Sequence, residues 1–518
     1  MFAKILSETF KISDEIPDDE FTDKVNQTVE SKNFTETYPH NSRIFSEIKM
    51  KEIYRALKKC SKESSTGTDQ IHNLMLKNLP ARSIQQLQKI FNKSVTEEVV
   101  PDGMKTSMVI MLPKKTDDTS SPLNYRPISL TSCLGKLFER IMCKRLYDFL
   151  NENHILIDEQ SGFRRHRRTA DNLYFLTQKV AESFNRGKKA ICIFFDICKA
   201  FDRVWHNGLI YKLLEAKVPL WLVRWLQEFL AYRRFIVKVG SCLSEYKNIE
   251  AGVPQGSVIS PLLFSLFIND IPIEKKPNCS QSTLFADDLA SMFFFGKNGG
   301  LQARIQKYID EIEKWLKKWK MKMAAKKCNY IIFAKNVAAN PKLNLKLFGE
   351  NIPMVDSTKF LGLVFDSKLS FNQQVDEIKV KCGERLNIIK ILSNRKWNLS
   401  KNLLCNLYKS VIASVIDYSF VCINTLSESN INKIQAIQNK AIRFIYRAYE
   451  DPVSRIVRLS ENHRLSSVVA RWSELNESYI EVARANRNPL IVRLVEEFKG
   501  GFQSRFRRQE HLSEQLFL

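Results

Sequence analysis

The stretch Leu284-Phe285-Ala286-Asp287-Asp288-Leu289-Ala290 places two adjacent carboxylates between apolar runs. Two short apolar runs joined by a tight turn predict a buried β-hairpin with the acids at or beside its turn. Charged side chains are rarely buried unless they are paired or hold a metal, and Mg²⁺ takes one or two carboxylates together with waters and substrate phosphates. The pair is therefore a candidate Mg²⁺ site. For this stretch alone, an Asp-Asp turn exposed to water is the alternative.

A third acid lies far upstream, at the end of the run Ala190-Ile-Cys-Ile-Phe-Phe-Asp196. This run is apolar and β-prone, so Asp196 is expected near the end of a second buried strand. If the two strands lie side by side, three carboxylates share a small volume, and their repulsion raises their pKa values unless cations neutralise them. Two divalent ions about 4 Å apart would do so and would support in-line phosphoryl transfer. A strand-terminal capping acid is the alternative for Asp196.

These two acid-bearing segments resemble motifs A and C of reverse transcriptases, and their surroundings resemble the non-LTR (LINE-type, jockey-like) retrotransposon family. The other family motifs follow in the expected order, at Asn124-Tyr-Arg-Pro-Ile-Ser-Leu130, Gln160-Ser-Gly-Phe-Arg164, Ala251-Gly-Val-Pro-Gln-Gly-Ser257 (motif B), Lys327 (motif D) and Phe360-Leu-Gly362 (motif E). The resemblance runs from about Thr66 to Ala448, which is most of the chain.

The resemblance implies an α+β right-hand polymerase, with fingers, a palm built on an antiparallel sheet, and an all-helical thumb. It implies an RNA-directed DNA polymerase that extends a DNA 3′-hydroxyl with dNTPs on an RNA template during retrotransposition. The expected cofactor is Mg²⁺, as two ions, with Mn²⁺ as an alternative. The implied catalytic residues and metal ligands are Asp196, Asp287 and Asp288, with Ile197 as a further ligand.

The resemblance also implies a set of nucleotide and primer contacts, at Arg126, Arg164, Phe201, Gln255, Gly256 and Lys327, and a primer grip at Phe360, Leu361 and Gly362. Guanidinium groups match phosphate oxygens in a bidentate manner, which suits the two arginines. Phe201 is the expected steric gate against a 2′-hydroxyl, with a plain core Phe as the alternative. Gln255 is expected to hydrogen-bond base or sugar, and Gly256 permits close backbone approach.

Lys327 is the expected general acid for pyrophosphate. Asp202, which follows Phe201 in the family's Ala-Phe-Asp pattern, is expected to be structural. Two positions depart from the family pattern, because Arg168 replaces a usual Ser and Ala324 replaces a frequent Asn.

The formal net charge is +24, from 80 Lys and Arg against 56 Asp and Glu. Such an excess favours a nucleic-acid partner, here an RNA template and a DNA primer or target; a basic surface without a partner, or one suited to anionic membrane, is the alternative. Eleven cysteines show no Cys-x-x-Cys pair, which predicts neither a zinc site nor a disulfide framework.

The sequence predicts an intracellular protein without a membrane segment, because the start of the chain lacks a signal peptide and Val258–Ile273 is too short and too polar to span a bilayer. The resemblance implies action in the nucleus with a cytoplasmic ribonucleoprotein stage. The oligomeric state is not fixed by the sequence.

Five regions are predicted from these patterns: 1–65 a polar lead-in, loosely ordered to about residue 45, and an N-terminal helix, 66–190 fingers with part of the palm, 191–370 the catalytic palm, 371–450 a helical thumb, and 451–518 a basic C-terminal extension without a recognisable motif. In finer detail, helices are expected over 46–59 and 301–323 and one strand over 360–365.

Family members usually carry an apurinic-type endonuclease, and nothing before Thr66 has the length or the acids for one. This predicts a fragment, a truncated copy, or a chain that uses a nick made elsewhere. A ribonuclease H domain is also not found. Two other interpretations stay open, a group II intron-type reverse transcriptase and a catalytically inactive RNA-binding remnant of such an element.

Overall fold

The structure is a computed structural model that describes residues 1–12, 19–30, 45–114, 120–276, 279–296, 299–335, 341–422, 425–461 and 463–499. The strands are β1 (Thr106–Pro113), β2 (Tyr125–Thr131), β3 (Lys189–Asp196), β4 (Arg233–Val239), β5 (Cys242–Leu243), β6 (Lys247–Ile249), β7 (Lys275–Lys276), β8 (Ser280–Phe285), β9 (Asp288–Phe295), β10 (Asn329–Phe333), β11 (Lys346–Leu347), β12 (Glu350–Asn351), β13 (Ser357–Phe360) and β14 (Leu363–Asp366).

The α-helices are α1 (Phe2–Thr9), α2 (Glu20–Glu30), α3 (Met50–Lys58), α4 (Asn73–Lys77), α5 (Ala81–Thr96), α6 (Asp102–Lys105), α7 (Cys133–Glu152), α8 (Thr169–Asn185), α9 (His206–Glu215), α10 (Leu220–Leu230), α11 (Ser260–Phe267), α12 (Leu301–Lys318), α13 (Asn372–Leu392), α14 (Lys401–Tyr408), α15 (Ser414–Asp417), α16 (Glu428–Tyr446), α17 (Val453–Glu461), α18 (Val468–Ala485) and α19 (Pro489–Lys499). The fold is therefore of the mixed α+β class, as the sequence predicts.

The chain divides into two compact units, each assembled from separate stretches of sequence. The first unit comprises Met1–Phe163, Ile197–Pro272 and Asp310–Ala324, and the second comprises Arg164–Asp196, Ile273–Ile309 and Ala325–Leu518.

The sheet of the first unit has the strand order β2-β1-β4-β5, with β6 also paired to β4. Strand β1 runs antiparallel to β2 and parallel to β4. A small core under this sheet is formed by Val109, Phe235, Val237 and Ile249 together with residues of α1.

The N-terminal segment is more ordered than its polar composition suggests. Leu6 and Phe10 are buried against the sheet of the first unit, and the Phe10 ring meets the Phe235 ring edge-on at 5.2 Å between centroids. Val25 and Val29 of α2 are also buried. The prediction of a loosely ordered lead-in is wrong for residues 1–12 and 19–30, because a few correctly spaced apolar residues are enough to anchor each helix. Residues 13–18 and 31–44 lie outside the described part of the chain.

The helix predicted from Ser46 begins instead at Met50. The preceding residues are held in a non-helical path by side chains from elsewhere in the first unit. Arg145 donates to the carbonyl oxygens of Ser46 (2.6 Å) and Glu47 (3.1 Å), and the Ile48 amide donates to Asn92 Oδ1 (2.7 Å). Arg145 thus satisfies the two carbonyl oxygens that a longer helix would have used, and Asn92 satisfies the Ile48 amide.

The sheet of the second unit has the order β10-β3-β9-β8-β7, and its strands pair antiparallel. Strands β3 and β9 are buried along almost their whole length, as their unbroken apolar runs predict. Helix α8 and the helices after residue 372 complete a continuous apolar core with this sheet.

Two element predictions in the second half of the chain need correction. The stretch 360–365 is a hairpin of β13 and β14 rather than one strand, since Leu361 and Gly362 both have positive φ (45° and 85°). The helix predicted over 301–323 ends at Lys318, and Lys320 adopts a left-handed φ of 56°. Beyond that point Met323 forms a bridge with Ile197 instead.

The C-terminal extension contributes to the core of the second unit as far as it is described. Trp472 is fully buried, and its Nε1 donates to the Ile416 carbonyl oxygen (3.1 Å). Tyr479 donates its hydroxyl to Asp171 Oδ1 (2.6 Å), which joins α18 to the first turn of α8. Residues 500–518, also predicted to belong to this extension, lie outside the described residues.

Within those same described ranges, we find no helix whose length and apolar character would let it cross a bilayer.

Candidate active site

The predicted acids come together at one end of the sheet of the second unit. Strands β3 and β9 pair antiparallel along their length, and the last pair in this register is Asp196 opposite Asp288. Asp288 also lies opposite Phe285 in the β8–β9 hairpin, and Ala286 and Asp287 form the turn between those strands. The structure thus brings Asp196 together with an adjacent pair of acids that is remote from it in sequence.

The hairpin turn is made in a strained backbone conformation. Ala286 has a φ of +54°, in the left-handed region that a residue with a Cβ rarely adopts. Such conformations cost about 1–3 kcal/mol and cluster at functional sites. Here the turn places two successive acids at the strand end.

The electrostatics of this end of the sheet disfavour its own negative charge. Asp196 and Asp288 are solvent-exposed, and Asp287 is half-buried. Although Asp288 is exposed at the strand end, the protein around its carboxyl group removes part of its hydration, and this desolvation raises its pKa to about 7. The negative charges of Asp287 and Asp196 add to the shift. A cation bound between these groups would favour their ionised forms.

The donor set fits a hard divalent cation of the Mg²⁺ type. Within the described ranges, no three His, Cys, Asp or Glu side chains form a ready-made metal cage. Mg²⁺ does not need one, because it is usually held by one or two carboxylates and completes its octahedron with waters and substrate phosphates. The facing pair Asp196 and Asp288, with Asp287 adjacent, supplies oxygen ligands of that kind.

The hairpin is fixed from behind by polar side chains that the sequence did not single out. Asn172 of α8 is fully buried and donates through Nδ2 to Thr283 Oγ1 (2.6 Å) and to the Leu284 carbonyl oxygen (2.9 Å). On the paired strands, Ser291 Oγ accepts from Ser282 Oγ (2.9 Å) and lies 2.8 Å from the Tyr308 hydroxyl. The only sequence signal for Asn172 is an amide on the otherwise apolar face of a helix.

Comparison with known proteins identifies the family of the region that holds these acids. Residues 112–365 match the family model "Reverse transcriptase (RNA-dependent DNA polymerase)", a range that contains all three acids. Residues 112–365 therefore belong to the reverse transcriptase family.

Its similar relatives include proteins of Drosophila melanogaster transposons. "Probable RNA-directed DNA polymerase from transposon BS" is 32% identical over 404 residues, which cover 77% of this chain and 44% of the relative. "RNA-directed DNA polymerase from mobile element jockey" is 30% identical over 406 residues, with the same coverage of 77% and 44%. The chain therefore spans less than half the length of these relatives.

The β13–β14 hairpin, which carries the predicted primer grip, packs on the strand that carries Asp196. Phe360 is buried, and its ring lies 5.1 Å from that of Phe194 on β3. The Leu361 carbonyl oxygen accepts from the Tyr418 hydroxyl (2.7 Å), whereas Gly362 is exposed. Lys327 is exposed in the turn before β10, whose first residue, Asn329, pairs with Phe194. Arg164, also in this unit, is half-buried.

The first unit brings a second group of predicted residues together. Phe201 lies in a short 3₁₀ turn (Ala200–Arg203), and its ring stacks on Phe264 at 4.4 Å. Gly256 has a φ of +140°, and a Cβ there would lie 2.1 Å from the Ser129 carbonyl oxygen on β2. This close approach to β2 is why the position needs glycine.

Arg126 is an exposed residue of the same strand, β2, where it pairs with Leu112. Ile197 has a buried side chain and forms a bridge with Met323.

Gln255 is placed by contacts that sequence reasoning missed. Its Nε2 donates to Oδ1 of the buried Asp202 (2.7 Å), and its carbonyl oxygen accepts from the Ser129 amide (2.8 Å). Burial raises the pKa of Asp202 to about 6, although the Gln255 hydrogen bond opposes the shift. Burial likewise lowers the pKa of His206 to about 4, and its neutral ring donates to the Gly252 carbonyl oxygen (2.7 Å).

Proposed function

We propose that this chain is an RNA-directed DNA polymerase that extends a DNA 3′-hydroxyl with dNTPs on an RNA template, in retrotransposition. The observation that carries the proposal is the pairing of Asp196 with Asp288 at the end of β3 and β9, beside Asp287. Family membership and the names of the relatives support the same activity.

Asp196, Asp287, Asp288 and Ile197 are the proposed ligands of two Mg²⁺ ions, with Mn²⁺ as a substitute. When bound, such ions supply charge neutralisation for the triphosphate and lower the pKa of the attacking 3′-hydroxyl. The protein's own contribution is to hold the acids on paired strands, so that little rearrangement is needed when charge develops. The buried anchors Asn172 and Tyr308 stiffen the hairpin that carries two of the three.

The remaining predicted residues have proposed roles around the nucleotide and the primer. Phe201 is the proposed sugar gate, since its ring is supported by Phe264 and an aromatic wall there excludes a 2′-hydroxyl. Arg126 and Arg164 are proposed to contact triphosphate or backbone, and Lys327 to protonate pyrophosphate. The hairpin at Phe360, Leu361 and Gly362 is the proposed primer grip.

We further propose that the elements correspond to the fingers, palm and helical thumb of a right-hand polymerase, with the regional boundaries that the sequence predicts. The net charge of +24 supports binding to an RNA template and a DNA primer through their backbones, with an affinity that falls as salt rises. Action in the nucleus, with a cytoplasmic ribonucleoprotein stage, is part of the same proposal.

Primer extension on poly(rA)/oligo(dT) with Mg²⁺ tests the activity. The wild-type chain is expected to extend the primer, Asp287→Ala to abolish extension, and Asp376→Asn, which changes an exposed acid of α13, to behave as wild type. Synthesis by neither the wild type nor the Asp376→Asn control would contradict the proposal and favour an RNA-binding remnant.

A further inference from the structure

The turn that carries Phe201 and the loop that carries Gln255 form one hydrogen-bonded block in the first unit. The Val253 amide donates to the Phe201 carbonyl oxygen (2.8 Å), and the Gly252 amide donates to that of Val204 (2.8 Å). Gly252 has a φ of +92°, and a Cβ there would lie 2.6 Å from the Asp202 carbonyl oxygen. The turn and the loop therefore cannot shift independently by more than a fraction of an ångström.

One side-chain bond crosses this block, from Gln255 Nε2 to Asp202 Oδ1 (2.7 Å). An ionised carboxylate only accepts hydrogen bonds, whereas an amide has a donor end and an acceptor end. Asp202 therefore fixes which way the Gln255 amide faces, with its NH₂ group toward the carboxylate. No hydrogen bond from the described residues reaches Gln255 Oε1, so this oxygen is left as an acceptor.

The acid at 202 is not explained by stability. It is 5% exposed, and no Lys or Arg in the described residues forms an ion pair with it. Burial removes hydration from this carboxylate, and the Gln255 hydrogen bond together with the nearby Lys199, Arg203 and Lys114 offsets that loss only in part, because the pKa stays raised. An asparagine of the same shape would avoid the loss. A buried acid that lowers stability is typical of a position that serves function.

The neighbouring Phe201 is supported on two sides in the same block. Its ring stacks on Phe264 at 4.4 Å with an interplanar angle of 21°, and it meets Phe163 edge-on at 5.8 Å. The amide of Gln255 and the ring of Phe201 are thus both fixed to the same short turn, residues 200–203.

We infer that Asp202 is a positioning residue that orients the Gln255 amide so that its carbonyl oxygen accepts a hydrogen bond from the incoming deoxynucleotide, beside the aromatic gate Phe201. The inference rests on the proposed polymerase function. The donor on the nucleotide is the sugar 3′-hydroxyl or an N–H group of the base, because these are the groups of a dNTP, dTTP included, that can donate to a carbonyl oxygen.

A double-mutant cycle in which the hydrogen bond is reversed tests this inference. Gln255→Glu sets two carboxylates against each other and is expected to lower kcat/KM for dTTP roughly 10- to 100-fold, mostly through KM. In Asp202→Asn/Gln255→Glu the asparagine amide can donate to the glutamate, which restores an outward acceptor. The double variant is expected to recover at least about tenfold over Gln255→Glu alone.

The control for added charge is Gln86→Glu on the exposed face of α5, which is expected to leave kcat/KM within about twofold of wild type. A second cycle serves if Gln255→Glu does not fold. Gln255→Met removes both ends of the amide without adding charge, and Asp202→Asn is expected to have no further effect on KM in that background.

The outcomes distinguish failure of the proposed function from failure of the positioning role of Asp202. If wild type does not extend the primer, the proposed function fails. If wild type extends the primer, two results together would show that the positioning role is wrong while the polymerase assignment stands. Asp202→Asn would give no recovery of kcat/KM in the Gln255→Glu background. It would also change KM by the same factor in the wild-type and Gln255→Met backgrounds.

Discussion

Two aspartates six positions apart in sequence, Asp196 and Asp202, lie in opposite environments. Asp196 is exposed at a strand end, and its partner across the register is another acid, Asp288. Asp202 is buried, and its partner is the amide of Gln255. An acid that faces acids is stabilised by a cation, whereas an acid that faces an amide orients that amide.

The comparison shows that the partner, rather than the burial alone, decides what a carboxylate does. Desolvation raises the pKa of both Asp288 and Asp202, to about 7 and about 6. Only for Asp288 do neighbouring carboxylates add to the shift; for Asp202 the hydrogen bond and the nearby Lys199, Arg203 and Lys114 oppose it. We therefore expect metal dependence at the first site and none at the second.

The largest effect is expected from Asp288→Asn. Removing one anionic ligand from the facing pair should lower primer extension by roughly 10³-fold, because charge neutralisation supplies most of the rate in phosphoryl transfer. It should also remove any Mg²⁺-dependent rise in melting temperature that wild type shows. Asp202→Asn should keep that rise in melting temperature. Loss of the rise in Asp202→Asn would contradict the expectation that only the Asp196–Asp288 site depends on metal.

Gly256→Ala is expected to disturb the Gln255–Asp202 contact and to leave the Asp196–Asp288 pair unchanged. The new Cβ would fall 2.1 Å from the Ser129 carbonyl oxygen, so the loop that carries Gln255 must move. Displacement of a substrate-contacting group by about 1 Å can lower the rate roughly 100-fold. Steady-state primer extension measures this loss.

Gly240→Ala is the matched control for that variant, since Gly240 also has a positive φ (59°) but nothing lies within 4 Å of its Cβ position. It should change extension by less than about twofold. Equal losses in the two variants would show that backbone strain, rather than loop displacement, is responsible.

Stability should depend on pH through Asp202. Its folded-state pKa of about 6 exceeds the ordinary 3.8, so the folded state binds the proton more tightly than the unfolded state does. Wild type therefore loses stability as pH rises through the folded pKa, by at most about 3 kcal/mol. Asp202→Asn lacks this loss. The melting-temperature advantage of Asp202→Asn over wild type should be larger near pH 7.5 than near pH 5, and an advantage independent of pH would contradict the assignment.

A smaller effect is expected at a third carboxylate, Asp171, which accepts from the Tyr479 hydroxyl and from the Arg168 amide. Tyr479→Phe removes the first bond and should lower stability by about 2 kcal/mol. Thermal unfolding measures the change. The ratio of dTTP to UTP incorporation should stay as in wild type, since neither residue is proposed to contact nucleotide. A changed ratio would show that the C-terminal helices influence nucleotide selection.

The sequence predicts the acid hairpin well because its two signals, the apolar runs and the turn between them, are both local. Two short apolar runs and a two-residue turn specify β8 and β9, and the apolar run before Asp196 specifies β3. The pairing of Asp196 with Asp288 depends on strand order, and the family resemblance, rather than periodicity, is what placed them together.

The parts that sequence reasoning missed depend on contacts between distant segments. Phe10, Trp472 and Tyr479 lie in regions of mixed or polar composition, and their burial follows only once the partner surface exists. The helix predicted from Ser46 fails for the same reason, because Arg145 captures the backbone of Ser46 and Glu47 from far away in sequence. The Gln255–Asp202 bond joins two motifs that are remote in sequence, and neither motif carries a local signal for the other.

Iron-dependent cleavage of the chain tests the central claim most directly. If Fe²⁺ replaces Mg²⁺ in the site, peroxide generates hydroxyl radicals that cut backbone close to the bound ion. The predicted result is cleavage near both Asp196 and Asp287–Asp288, suppressed by excess Mg²⁺ and absent in Asp288→Asn. Cleavage at only one of these two segments, or at neither, would contradict a shared cation between β3 and β9.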